Sequence, residues 1–539
     1  MTDPNNAPEH DPDQPDTTPA GDAETQTTAI LADLDATAQL KKLDAGKTAE
    51  STTKKTDTST DTDTGKGPSQ ATRLVELAHR EYRTVRGTDG RTYAVLTADG
   101  AAYTAQSLRG ENGLRMRLAH QYYTETQSAP SAGALADALT ILEGQAMDTP
   151  PEPVALRVAR HDGNLILDLA RPDGKCVIIS PGQWHLEPVS PVLFRRTNLT
   201  SPLPDPVRNP LHGPNGLDGL RELLNVSESG FRLLVAWLIT ALFPDVAHPI
   251  LTLTGEQGTA KSTAERLLVS LIDPSPAPLR TAPKDQDAWT VQAAASWAVM
   301  LDNISTIPPW FSDALCKAVT GDGMVKRALY TDDDVSVVSF RRAIGMNTID
   351  AGALRGDLAE RMLLVELDPI PEDERRTESE VNALFDQARP AVMGALFDLA
   401  AKVLKVLPDV RVQRLPRLAD FALILAALDQ AAEWDTLADF FAIAAELTET
   451  VIETDPFAEA VRKHAQTNTT WTGTAAALLE LLTPAENVPK TFPRTPRAVS
   501  GHLRRVAPAL RKSGTEVEFQ RENTSRTIRL THTMRDDGK

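Results

Sequence analysis

One stretch constrains the fold more than any other: Pro249-Ile250-Leu251-Thr252-Leu253-Thr254-Gly255-Glu256-Gln257-Gly258-Thr259-Ala260-Lys261-Ser262-Thr263. An apolar run enters a glycine-bearing loop that closes on Lys-Ser-Thr. It predicts a buried strand, a phosphate loop and a helix start. The spacing fits G-x-x-x-x-G-K-[ST], with Ala260 in place of the last glycine. Gly255 and Gly258 let the backbone turn with its N–H groups inward, beside the positive end of the next helix. Glu256, Gln257, Thr259 and Thr263 complete the cradle, Lys261 would reach the β and γ phosphates, and the Ser262 hydroxyl would ligate magnesium. Ala260 is expected to adopt ordinary helical angles without strain. From Ser262 to Asp273, Ala264, Leu267, Leu268, Leu271 and Ile272 recur at helical spacing and stop before Pro274.

Around this loop, residues 207–370 alternate helices with apolar strands, the pattern of a mostly parallel sheet covered by helices. A helix from Gly230 to Phe243 leads in; its apolar run is too short to span a bilayer, and no membrane role is expected. The strand Trp297 to Leu301 ends in Asp302-Asn303. An acid at the carboxyl end of a buried strand beside a phosphate loop is where a magnesium-organising Asp belongs, although a turn cap has the same look. A helix from Trp310 to Thr320 precedes a β-hairpin of Met324–Tyr330 and Val335–Phe340, with Lys326 and Arg327 on opposite faces of its first strand. The strand Ala343 to Asn347 would set Asn347 beside Asp302, able to orient water or sense the γ phosphate. Arg361 precedes a last strand, Leu363 to Leu367, and could reach a phosphate across a subunit boundary.

The order of phosphate loop, Asp strand, hairpin, Asn strand and Arg resembles the superfamily III helicases and the related phage and poxvirus primase-helicases, hexameric ATPases of the AAA+ class. From Gly255 through Leu367 the wording is still more similar to ATP-binding replication proteins of actinobacterial phages and integrative elements. The resemblance implies ATP and Mg2+ as cofactors, DNA as partner, and a homo-oligomeric ring in which Arg361 of one subunit meets ATP held by the next. Alanine before the lysine also occurs in minichromosome-maintenance helicases. Two departures stand out. These families usually carry a second acid after the magnesium Asp as general base, and here Asn303 takes that place. An amide cannot accept a proton from water at neutral pH, so slow hydrolysis is expected, with Glu256 as a stand-in base and an ATP-bound switch as the open alternative. The hairpin tip, usually basic, reads Asp332-Asp333-Asp334, which would repel DNA phosphates.

The net charge of −18 argues against nucleic acid only as an average over the chain. Much of it sits in residues 1–70, a Thr/Asp/Ala/Pro-rich tail too poor in apolar residues to fold alone; Ile30, Leu31, Leu34, Leu40 and Leu43 are close to helical spacing, as a transient helix with no function would be, or one that docks a replication partner. Residues 71–206 read as a separate α+β domain of hairpin strands and two helices, with no constellation that points to chemistry. Residues 371–456 read as helices throughout, a lid or connector. In residues 457–539, Thr495 caps a helix running from Pro496 to about Lys512, on which Arg497, Arg504 and Arg511 recur every seven residues, with Arg505 beside them. A hairpin carrying Arg521 and Arg526 follows. Helix plus basic hairpin resembles a winged-helix DNA-binding domain, helix to the major groove and hairpin to the phosphates, with a solvated basic surface as the alternative. Only Cys176 and Cys316 occur, far apart, so neither a disulfide framework nor a zinc site is indicated and a reducing cytoplasm is the default.

The expected fold class is therefore multidomain α/β, with a P-loop AAA+ core, an N-terminal α+β domain and a C-terminal winged-helix domain. Three functions remain open: an ATP-hydrolysing, helicase-like protein of phage or mobile-element replication, a DNA-bound ATP switch that recruits replication proteins, or a DNA-binding regulator with a dead nucleotide site.

Overall fold

The computed structural model describes residues 68–97, 104–110, 113–208, 216–327, 335–348, 356–522 and 525–533. The tail over residues 1–67, with its Ile30–Leu43 segment, and the hairpin tip Asp332–Asp334 lie outside the described residues. The first described part opens with α1 (Gln70–Glu81), capped by the Ser69 hydroxyl, which accepts the Thr72 N–H. An antiparallel sheet β1-β2-β3 (Tyr82–Arg86, Thr92–Leu96, Ala105–Ser107) and helices α2 (Leu114–Thr126) and α3 (Ala132–Met147) follow. Leu74, Leu77, Leu118, Leu139 and Leu142 close a small core of their own between them. After the short β4 (Val154–Ala155) comes a four-stranded antiparallel meander in sequence order: β5 (Val158–His161), β6 (Asn164–Asp168), β7 (Cys176–Ser180) and β8 (Gln183–Glu187). The strand β9 (Leu193–Phe194) returns to pair with β4.

The central sheet is parallel throughout, in the order β11-β12-β15-β10-β16. Its strands are β10 (Ile250–Thr254), β11 (Leu279–Arg280), β12 (Ala298–Leu301), β15 (Ala343–Asn347) and β16 (Met362–Glu366). Strands covered on both faces must be apolar along their whole length rather than alternating, and Ile250 to Leu253 and Ala298 to Leu301 are buried without a break. The helices of this part are α4 (Asp218–Arg221), α5 (Glu228–Thr240), α6 (Lys261–Ile272), α7 (Gln286–Ala295) and α8 (Pro309–Thr320), of which α5 and α6 pack on strands of the sheet. Helix α5 is buried without a break from Leu233 to Thr240, all of them apolar except the last, as a core helix requires. Strands β13 (Gly323–Arg327) and β14 (Val335–Ser339) form the expected hairpin, in antiparallel register with Lys326 opposite Ser336. A short helix α9 (Gly356–Ala359) precedes β16.

The expected boundaries at 206 and 370 do not separate hydrophobic cores. Val158, Leu165, Leu167, Val177 and Trp184 of the meander share one core with α5, the central sheet, and Val392, Phe397, Phe421 and Leu425 of the later helices. Those helices are α10 (Glu378–Val406), α11 (Ala419–Ala432) and α12 (Thr436–Thr454). Arg157, 1 % exposed, pins the meander to the sheet: its Nε donates to Asp273 Oδ1 at 2.8 Å, and Nη1 and Nη2 donate to the carbonyls of Asp168 and Ser201. Asp273 Oδ2 in turn accepts the backbone N–H groups of Trp297 and Ala298. The last part has its own core, built from α13 (Pro456–Asn468), β17 (Thr470–Thr474), α14 (Ala475–Leu482), α15 (Pro496–Lys512), β18 (Thr515–Glu522) and β19 (Ser525–His532). Its sheet order is β17-β19-β18, all antiparallel. No helix among the described residues is long and apolar enough to cross a membrane.

Candidate functional site

All five central strands run the same way, so the carboxyl ends of β10, β12 and β15 open on one rim, and the loops leaving them meet there. Open parallel sheets offer their ligand crevices at such ends, where the strand order reverses. From β10 the chain turns at Gly255, whose φ of 136° belongs to glycine and where a Cβ would lie 2.6 Å from the Leu367 carbonyl oxygen. Gly258 also has positive φ, 88°. Ala260 does not take helical angles as expected: at φ 60°, ψ 30° it is left-handed, because the chain must reverse its twist to enter α6 at Lys261. Lys261 folds back over the loop and its ammonium donates to the carbonyls of Gly255 (2.8 Å) and Glu256 (2.7 Å). Thr259 is buried and its hydroxyl donates to Glu256 O; the Glu256 and Gln257 side chains are exposed, and Thr263 is half-buried on α6.

Four residues from three elements converge beside this loop. The Ser262 hydroxyl donates to Asp302 Oδ1 at 2.7 Å, and Asn347 Nδ2 donates to the same oxygen at 2.6 Å. Asn347 is placed by the pairing of β15 between β12 and β10, where it sits opposite Leu253. Its Oδ1 accepts the backbone N–H of Asn303, which is left-handed at φ 56° with an exposed side chain. The second acceptor of Asn347 Nδ2 is Glu265 Oε2, also at 2.6 Å. Glu265 is fully buried and its Oε1 has no partner among the described residues. Burial pushes its carboxyl up to about 8; the Asn347 hydrogen bond opposes that shift, and the nearby Asp302 charge adds to it. Sequence reading passed over Glu265. The signal was there: an acid at position 265 interrupts the apolar stripe of Ala264, Leu268 and Ile272 on α6.

Arg361 is not part of this cluster. Ile250 pairs with Met362 and Thr254 with Glu366, so Arg361 enters β16 at the opposite end of the sheet from the loop. It is 7 % exposed, and its Nη1 donates to the Asp357 carbonyl and to Asp357 Oδ1, both at 2.8 Å. The arginine expected to reach outward is buried and paired within its own chain. Lys326 and Arg327 lie on β13 as expected, but their side chains fall outside the described residues.

The basic C-terminal residues divide in two. Helix α15 starts as the sequence requires, with the Thr495 hydroxyl accepting the Ala498 N–H and Pro496 in the first turn. Its buried stripe, Val499, Leu503, Val506 and Leu510, faces the small core. The seven-residue row is exposed along its length, but two of its three arginines have partners within the same part of the chain. Arg504 stacks over the Phe519 ring at 4.8 Å, Arg511 pairs with Glu516 at 3.0 Å and donates to Val517 O, and the neighbouring Lys512 reaches Glu360 at 2.7 Å. Helix α15 also packs against α12. Arg497, Arg505, Arg521 and Arg526 are exposed, with no ion-pair partner among the described residues.

Residues 217–450 match the family described as the actinomycete integrative conjugative element replication protein, and residues 457–537 match the C-terminal domain of the same RepA family. Together they span more than half of the 539 residues. The chain belongs to this replication-protein family. The first match covers the central sheet, the glycine loop and the Ser262–Asp302–Asn347 cluster; the second covers the basic helix and hairpin. No curated protein sequence matches. Among solved structures, the chain is similar to the apo structure of the NrS-1 C terminal region, at 10% identity and a TM-score of 0.36 over 87% of this chain and 100% of that one. A second, the X-ray structure of JCV helicase, is 12% identical with a TM-score of 0.22, over 44% of this chain and 64% of that one.

Proposed function

We propose that this replication protein binds ATP with Mg2+ at the carboxyl ends of β10, β12 and β15, hydrolyses it slowly, and uses it to act on DNA during replication of its element. One observation carries the reading: the Ser262 hydroxyl and the Asp302 carboxylate converge to 2.7 Å at the start of α6, directly after a loop of two positive-φ glycines. Hard oxygen donors of this kind, one hydroxyl and one carboxylate, suit magnesium, which keeps most of its shell for water and phosphate oxygens instead of an all-protein cage. The ion would neutralise charge on the β and γ phosphates. The first N–H groups of α6 would meet the phosphate oxygens, and Lys261 would exchange the loop carbonyls for them. Asn347 would offer the attacking water or the γ phosphate the amide hydrogen that it gives to Asp302. The exposed Arg497, Arg521 and Arg526 support DNA as the partner, through phosphates.

Steady-state ATP hydrolysis with and without single-stranded and duplex DNA tests this. Wild type should turn over only with Mg2+, and Lys261→Ala should lose on the order of a hundredfold, since it removes a cation aimed at developing phosphate charge. Equal turnover in wild type and Lys261→Ala would refute the site. A second reading, an ATP-bound switch without turnover, is favoured by Asn303: its backbone N–H is tied to Asn347 and its amide cannot serve as base. Nucleotide binding without hydrolysis in wild type, with turnover appearing in Asn303→Glu, would select it.

A further inference from the structure

Glu265 is a poor choice if its only task is to pack. A carboxyl fully enclosed in the apolar stripe of α6, with one oxygen lacking a hydrogen bond, costs free energy that a leucine at the same place would not. What it gains is a single contact, the 2.6 Å bond from Asn347 Nδ2. We propose that Glu265 is a positioning residue that locks the Asn347 amide with its nitrogen toward Asp302.

The lock follows from the donor and acceptor inventory. Asn347 Oδ1 takes the Asn303 N–H at 2.9 Å, and Nδ2 gives one hydrogen to Asp302 and one to Glu265. A flipped amide would set its oxygen against the Asp302 carboxylate and its nitrogen against an N–H, losing both bonds, and would lose the third as well wherever Glu265 is ionised. Asp302 Oδ1 is also the acceptor of the Ser262 hydroxyl, so it is shared, and any ligand that draws on that oxygen weakens its hold on Asn347. Glu265 Oε2 has only Asn347, and it accepts whether or not the other carboxyl oxygen carries a proton. Glu265 is therefore the partner that keeps the amide oriented when Asp302 is engaged elsewhere. This rests on the nucleotide site proposed above, and its failure can be told apart from the failure of that site.

The comparison uses the full chain with Glu265→Gln, whose amide oxygen still accepts, and Glu265→Leu, which fills the space without an acceptor and spares the fold the buried carboxyl. Two measurements are made: kcat and KM for ATP alongside fluorescent ADP affinity, and the Asn347 side-chain amide signal by nuclear magnetic resonance after selective asparagine labelling. Glu265→Leu should lower kcat by roughly tenfold, as the loss of an orienting partner does, with ADP affinity unchanged and kcat kept within about threefold in Glu265→Gln. The Asn347 amide protons should lose exchange protection in Glu265→Leu and keep it in Glu265→Gln. Wild-type kcat and unchanged protection in Glu265→Leu would overturn the proposal, as would an equal fall in both variants. If wild type shows no hydrolysis, the nucleotide reading loses its turnover and the amide signal alone decides: protection lost in Leu and kept in Gln upholds the lock, and protection unchanged in Leu overturns it.

Discussion

Ala260 shows how a residue that departs from a motif carries strain that the motif's own glycine would not. At φ 60° an L-residue with a Cβ pays about 1–2 kcal/mol for the left-handed region, a cost glycine avoids. Glycine in turn loses about 0.5–1 kcal/mol more than alanine to backbone entropy on folding. Ala260→Gly should therefore be slightly stabilising, by about 0.5 kcal/mol, and Ala260→Val clearly destabilising, because a β-branched residue fits positive φ worst. Melting temperatures ranked Gly, Ala, Val from high to low would agree; Val equal to Ala would mean the loop is not left-handed there. Sequence spacing located the loop residues and Asp302 and Asn347, because strand ends and loop length set those positions. It missed the handedness of Ala260 and the partner of Asn347. Dihedral angles and side-chain aim depend on how the chain enters α6 and on neighbours far apart in sequence, such as Glu265 and Asn347.

At the level of elements, the sequence was most legible where burial is complete. Strands β10, β12 and β15 and helix α5 carry mostly apolar runs that are buried without a break over at least four residues, and the N-cap and Pro496 of α15 fix its start to the residue. Less legible was what a long helix packs against. Helix α10 has 29 residues, and Gly394 on it approaches the chain at Val207 so closely that a Cβ would lie 1.9 Å from the Val207 carbonyl oxygen. The Val207 N–H donates to the Pro390 carbonyl at 2.9 Å, so a backbone hydrogen bond to α10 holds the segment at this close approach. Gly394→Ala, normally favourable in a helix, should destabilise by about 3 kcal/mol through overpacking. A melting temperature at or above wild type would show that the chain at Val207 does not sit on α10.

At the scale of the whole molecule, hydrophobic patterning alone gave boundaries that the cores do not respect. The meander and the helices after β16 each expose an apolar face when taken alone, and both bury it in the central body, with Arg157 and Asp273 joining the parts. Composition cannot reveal this, since a sheet face closed by its own helices and one closed by another segment read alike. The basic C-terminal part keeps a separate core and raises the question of which charges meet DNA. Arg504, Arg511 and Lys512 are spent on Phe519, Glu516 and Glu360, whereas Arg521 and Arg526 face each other across the β18–β19 hairpin and are exposed. If the hairpin tracks the phosphates, each lost arginine removes about one released counterion from the salt dependence of binding. Arg521→Ala with Arg526→Ala should then lower the slope of log K against log salt by about 2, equally on unrelated duplex sequences. Arg504→Ala with Arg511→Ala should change the slope less and the melting temperature more, because those side chains hold β18 to α15. The reverse ranking would mean that α15 leaves Glu516 and Phe519 to enter the groove, and that the contacts along its basic row are those of a resting form.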